Sequence, residues 1–233
     1  MATPIIALDV PSAAKALDLV DRLGSDAVFY KIGSPLFTAA GPQIVLDVRK
    51  RGKRVFLDLK YHDIPNTVAH AVENAGRLGV ELLTVHASGG LAMLRAARAA
   101  AGDDGPRVLG VTVLTSFGAD DIQQAWGKEV NSVREEVMRL GALAVEAGLH
   151  GVVASPLEIE QLRRRHGPDL LIVAPGIRPA DAQSDDQVRT ATPAAAARAG
   201  ADFIVVGRPV IAAADPVAVL RRINAELNPT AVA

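Results

Sequence analysis

Short runs of Val, Ile and Leu recur along the chain at a nearly constant interval, and that recurrence constrains the fold more than any other feature. Eight stand out: PIIALD (4–9), AVFYKIG (27–33), RVFLDLK (54–60), LLTVHA (82–87), RVLGVTVLT (107–115), GVVAS (151–155), LLIVAP (170–175) and FIVVGR (203–208). The first five begin at residues 4, 27, 54, 82 and 107, at intervals of 23, 27, 28 and 25 residues. None alternates cleanly between apolar and polar residues, as expected of strands covered on both faces.

Helical patterns fill the intervals. Ser12 is placed to cap a helix carrying Ala13, Leu17, Val20 and Leu23, with Gly24 at its end. After the third run, Asn66 or Thr67 is the expected cap of a helix carrying Val68, Val72, Ala75 and Leu78, closed by Gly79. A βα unit of this length implies parallel strands joined by right-handed crossovers. Eight units predict an α/β fold, a closed (β/α)₈ TIM barrel. The rival is a doubly wound open sheet, but ALDVPSAAKA after the first strand lacks the glycines that its dinucleotide fingerprint requires.

With 233 residues, 49% of them hydrophobic, the chain is long enough for one sizeable core, and residues 1–233 are expected to form a single barrel domain. The fifth connection, from Ser116 to His150, is longer than the others and is read as carrying an extra short helix. The Ala-rich TPAAAARAGAD (192–202) is read as the short helix of the seventh unit, and NPTAVA as a frayed tail.

A net charge of −1 gives no bulk reason to expect nucleic acid or an anionic membrane as partner. Without cysteine there is neither a disulfide framework nor a thiolate metal site. MATPIIALDV has no basic signal-peptide region, and no apolar run approaches the ~18 residues of a membrane span, so a cytoplasmic location is expected.

Loops after barrel strands form the active face, and here nearly every strand ends in a polar residue: Asp9, Lys31, Asp58 with Lys60, His86, Thr115, Ser155, Arg178 and Arg208. Asp58 and Lys60, two apart on a strand, share a face. If Leu57 and Leu59 pack outward, both charges point into the barrel mouth; the plainer alternative is an internal ion pair that only neutralises itself. Asp63 lies beyond the strand, where periodicity places it neither on that face nor away from another subunit. His62 reads as orienting its turn and His86 as a satisfied polar group, since no HxH or HExxH spacing supports a metal site. APGIRP (174–179) and VVGRPV (205–210) end the seventh and eighth strands, where barrels often bind phosphate. Gly207 allows close backbone approach, and Arg178 and Arg208 supply forked positive charge. The polar stretch 180–187 between them is a candidate closing loop.

ALD (7–9), KIG (31–33), FLDLKYHDIPNTV (56–68), VHASGG (85–90), VTVLTS (111–116), PGIRP (175–179), DQVR (186–189) and VVGRP (205–209) together resemble the bacterial orotidine 5′-phosphate decarboxylases, across nearly the whole chain. The resemblance implies decarboxylation of orotidine 5′-monophosphate to UMP, the last step of de novo pyrimidine nucleotide synthesis, without a cofactor or metal. It implies that Lys60 protonates C6, with Asp58 and Lys31 as partners in a charge network. Asp63 corresponds to the member supplied by the neighbouring subunit of a homodimer, with Thr67 nearby. It further implies Asp9 on the ribose, Thr115 or Ser116 on the pyrimidine edge, and Arg178, Gln187, Gly207 and Arg208 on phosphate and lid. The family's GDQ before the lid arginine is replaced here by Asp185-Asp186-Gln187.

Two rivals stand beside that resemblance. One is a metal-dependent sugar-phosphate synthase or decarboxylase of the same barrel superfamily, which also uses an Asp-x-Lys-x-x-Asp pattern; the HDIPNT continuation at 62–67 argues against it. The other is a catalytically dead nucleotide-binding barrel, disfavoured by the intact Lys31, Asp58, Lys60 and Asp63.

Overall fold

The computed structural model describes residues 2–127, 129–130, 132–179 and 189–227. Its strands are β1 (Thr3–Ala7), β2 (Phe29–Gly33), β3 (Arg54–Tyr61), β4 (Leu82–His86), β5 (Arg107–Val111), β6 (Gly151–Val153), β7 (Leu171–Ala174) and β8 (Phe203–Val206). Each pairs in parallel with the next, and β8 returns to β1 through Thr3–Phe203, Pro4–Ile204, Ile5–Val205 and Ile6–Val206. The sheet is therefore a closed eight-stranded parallel barrel. Helices α1 (Ala13–Leu23), α2 (Ser34–Ala40), α3 (Gln43–Lys50), α4 (Pro65–Arg77), α5 (Gly90–Ala101), α6 (Ala119–Trp126), α7 (Val133–Glu146), α8 (Ile159–His166), α9 (Pro193–Ala199), α10 (Arg208–Ile211) and α11 (Pro216–Leu227) occupy the connections. None of them is long and apolar enough to cross a membrane.

The absence of polar alternation in the strands has a direct cause. Odd residues of β1 and their neighbours face inward, where Ile5, Ala7, Phe29, Phe56, Leu82, Leu109, Val173, Phe203 and Val205 fill the barrel. The alternate residues, such as Ile6, Leu8, Tyr30, Ile32 and Leu57, face the helices and join the larger outer core. Removing each inner phenylalanine from water contributes about 1.5–3 kcal/mol. Phe29 and Phe203 meet edge to face with centroids 5.7 Å apart. The Arg54 guanidinium lies 4.2 Å from the Phe29 centroid and makes a forked bond to Glu81, closing the N-terminal end. The opposite end, at the strand C-termini, is where the barrel opens into a cavity.

Local signals were mostly obeyed. Ser12 caps α1, its Oγ accepting from the Lys15 N–H, and Gly24 ends it. The fifth connection carries α6 as an additional helix before α7, and 193–199 is helical. The cap expected at Asn66 or Thr67 is not formed. α4 starts at Pro65, two residues before the start that a cap at Asn66 implies, with Ile64 in the cap position and no side-chain cap. Proline at the first helical position fixes φ and presents no N–H that needs a partner, so the chain enters the helix without an Asn or Thr acceptor. β5 also stops at Val111 rather than running to Thr115. Residues 113–116 consequently form a loop over the mouth.

Candidate active site

A cavity of about 300 Å³ opens at the C-terminal end of the barrel. Ala7, Phe56 and Val205, members of the inner core, make its floor. Following the strand order around the rim, Arg178, Gly207 and Arg208 lie after β7 and β8, Asp9 and Lys31 at β1 and β2, Asp58 and Lys60 on β3, and Thr115 and Ser116 beyond β5. Cationic groups stand on one side, hydroxyls on the other, and an ionic chain runs between them.

That chain alternates in sign. Lys31 Nζ is 3.0 Å from Asp9 Oδ1 and 3.6 Å from Asp58 Oδ2, while Lys60 Nζ is 2.9 Å from Asp58 Oδ1. Lys31 and Asp58 are each only 9% exposed, so the attraction acts over an apolar floor where screening by water is weak. Burial pushes the Asp58 carboxyl up, but Lys31, Lys60 and hydrogen bonds from Lys60 and Thr84 outweigh it, holding the group below its ordinary 3.8. Gly33 makes room for this arrangement. A Cβ there would stand 3.1 Å from Lys31 Nζ and 3.6 Å from Asp9 Oδ1.

Simple strand alternation does not by itself aim Lys60. Its φ is +53°, the only positive φ of a non-glycine residue among the described residues, and the β3–β4 register shifts between Leu57 and Tyr61. Such a residue costs about 1–2 kcal/mol and persists only where its surroundings hold it. Thr84 is the holder. Its buried Oγ1 accepts from the Lys60 N–H at 3.0 Å and donates to Asp58 Oδ1 at 3.0 Å. Sequence reading missed Thr84, although its parity with Leu82 on β4 marks an inward position.

Two expected residues lie outside the cavity of their own chain. Asp63 and Thr67 are exposed, and Asp63 Oδ1 accepts from the Ile64 N–H at 2.6 Å. Gln187 lies outside the described residues. His62 and His86 face each other with ring centroids 5.6 Å apart and do not line the cavity. Burial, the His62 ring and Lys60 lower the His86 imidazole below its ordinary 6.5, which favours the uncharged ring. Ser155 is buried, and its Oγ accepts from the Leu157 N–H, which makes it part of a turn. On the cationic side, Gly176 has a φ of +77°, which turns the chain from β7 toward Arg178. The Arg178 N–H then donates to Ala191 O, and the Ala191 N–H to Gly176 O. Among the described residues, no three His, Asp or Glu side chains are grouped to hold a metal ion.

A barrel with this ionic chain at its mouth can be compared with known proteins. The model of the orotidine 5′-phosphate decarboxylase / HUMPS family matches residues 3–223. The chain belongs to that family. It is 51% identical over 231 residues to an orotidine 5′-phosphate decarboxylase of Moorella thermoacetica, covering 96% of this chain and 91% of that protein. Against one from Pelobacter propionicus it is 53% identical over 218 residues, covering 91% and 90%. A crystal structure of orotidine 5′-phosphate decarboxylase from Lactobacillus acidophilus superposes with a TM-score of 0.87 at 36% identity, covering 98% of this chain and all of that one. The family assignment agrees with the resemblance drawn from the motifs.

Proposed function

We propose that the chain decarboxylates orotidine 5′-monophosphate to UMP without a cofactor, through the charge chain Asp9–Lys31–Asp58–Lys60. The observation that carries the mechanism is the placement of Asp58 between two ammonium groups on an apolar floor. Arg178, Arg208 and the backbone at Gly207 take the phosphate, Asp9 the ribose, and Thr115 or Ser116 the pyrimidine edge. Gln187 joins the phosphate contacts. The orotate carboxylate is then brought beside Asp58.

Orotate has no β-carbonyl placed to take the electrons that carbon dioxide leaves behind. When the C6–carboxylate bond breaks, its electron pair stays on C6. The Lys60 ammonium stabilises that charge and transfers a proton from Nζ to C6; solvent later returns a proton to Lys60. Two like charges at ~4 Å and an effective dielectric of 20 repel by about 4 kcal/mol, roughly a thousandfold in rate. That repulsion alone is too small for so slow a reaction. The remainder comes from stabilising the transition state, supported by binding energy from the distant phosphate.

The metal-dependent rival is less well supported by these residues. Asp9 and Asp58 already neutralise Lys31 and Lys60, and a divalent cation would compete with two ammonium groups for the same oxygens. Asp63 and Thr67, exposed on their own chain, suit a homodimer in which each subunit supplies them to the other's site. The remaining expectations are one barrel domain over 1–233, a cytoplasmic location, and neither nucleic acid nor membrane as partner.

The test is incubation of purified protein with orotidine 5′-monophosphate in the presence of EDTA, following loss of orotate absorbance. Turnover insensitive to EDTA is expected. No change at high enzyme concentration would overturn the activity, and activity abolished by EDTA would favour the metal-dependent rival.

A further inference from the structure

Arg189 has no part in the chemistry above, yet it is only 9% exposed, with its counter-ion Glu158 at 3%. Its Nη1 donates to Glu158 Oε1 at 3.2 Å. Its Nη2 donates to Leu114 O at 2.9 Å and to Val113 O at 3.4 Å. Val113 and Leu114 line the cavity and immediately precede Thr115 and Ser116, in the loop left when β5 stops at Val111. One guanidinium therefore ties that loop to Glu158, the residue that opens α8 after β6.

These contacts all lie on the hydroxyl side of the cavity. The turn that carries Arg178 is held separately, by the backbone bonds between Ala191 and residues 176 and 178. The guanidinium of Arg189 takes no part in those bonds.

We propose that Arg189, held by Glu158, is a positioning residue for the base-recognition loop 113–116, setting Thr115 and Ser116 against the pyrimidine. The inference rests on the decarboxylase reading, which supplies a nucleotide whose base lies on that side. Lysine is a poor replacement: its single ammonium does not span a carboxylate and two carbonyls as a planar fork does.

The test compares binding of UMP with that of ribose 5-phosphate, which has the same phosphate end and no base, alongside steady-state turnover. Arg189→Ala is expected to weaken UMP binding on the order of 10–100-fold, with ribose 5-phosphate changed by less than about threefold. Arg189→Lys should fall between. Removing one member of a buried pair endangers folding, so the double variant Arg189→Met/Glu158→Leu, which leaves no orphaned charge, should show the same selective loss. UMP binding unchanged in the double variant would overturn the proposal. So would equal weakening of both ligands, because the pair would then only hold the fold. Wild-type protein that never turns over orotidine 5′-monophosphate would overturn the decarboxylase reading and this one with it. Normal wild-type turnover with unselective variants would overturn this one alone.

Discussion

Lys60 Nζ lies 2.9 Å from Asp58 Oδ1, while the backbone N–H of the same lysine is bonded to the Thr84 hydroxyl that also donates to that carboxylate oxygen. The lysine is thus fixed at both ends of its side chain by one three-residue cluster, and in a backbone conformation that few non-glycine residues adopt.

Asp58→Asn removes the charge that both lysines share. The folded carboxyl titrates below its ordinary 3.8, so its contribution to stability is present above that value and is lost as pH falls through the lower folded value. Thermal melts in acid should therefore show a shallower decline for Asp58→Asn than for the wild type. At neutral pH the variant should be less stable by about 2 kcal/mol, because buried Lys31 and partly exposed Lys60 lose the carboxylate between them while Lys31 keeps Asp9. Its kcat should fall on the order of 10³-fold with KM not raised, the pattern left when ground-state opposition is removed. A raised KM with unchanged kcat would assign Asp58 to binding alone.

Lys60→Gly and Lys60→Ala separate strain from chemistry. Both lose the ammonium, but only glycine is at ease at a φ of +53°. Denaturant unfolding should find Lys60→Gly more stable than Lys60→Ala by about 1 kcal/mol, the reverse of the usual order within a strand.

Gly33→Ala should spare the fold and injure the site. Its added methyl meets Lys31 Nζ at 3.1 Å, and the ammonium must give way by tenths of an ångström. We expect kcat/KM to fall on the order of 10–100-fold with little change in melting temperature. Full activity would mean that the position of Lys31 is not critical.

Mixed subunits test the shared site. Lys60→Ala and Asp63→Ala homodimers should each be inactive. After the two are unfolded and refolded together, roughly a quarter of the sites should combine an intact Lys60 with an intact Asp63 from the other subunit. Activity that fails to return would place Asp63 in the site of its own chain or outside the reaction.

What could be read from sequence followed from regularity. Strand spacing fixed the number of βα units, and parity put Asp58 on the inward face, because a closed barrel repeats one geometry eight times. The parts that escaped depend on departures from it. The left-handed φ of Lys60 and the register shift around it leave no mark in FLDLK, and Thr84 gains its role only by lying across from them. Pro65 displaced the expected Asn66 or Thr67 cap by supplying the first helical residue itself. Arg189 closes the DQVR motif at 186–189, which says nothing of where its side chain turns. Its inward turn depends on Glu158 and on carbonyls about 75 residues away along the chain. Asp63 and Thr67 are exposed in one chain, and strand periodicity does not reach either of them.

The central claim is that Lys60 delivers the proton to C6, and the most direct measurement is turnover of Lys60→Ala set beside its affinity for UMP. The account predicts that kcat falls at least ~10³-fold while UMP binding changes by less than about tenfold, as expected of a general acid rather than a binding residue. Lys60→Ala that still decarboxylates orotidine 5′-monophosphate at a rate near the wild type would contradict it.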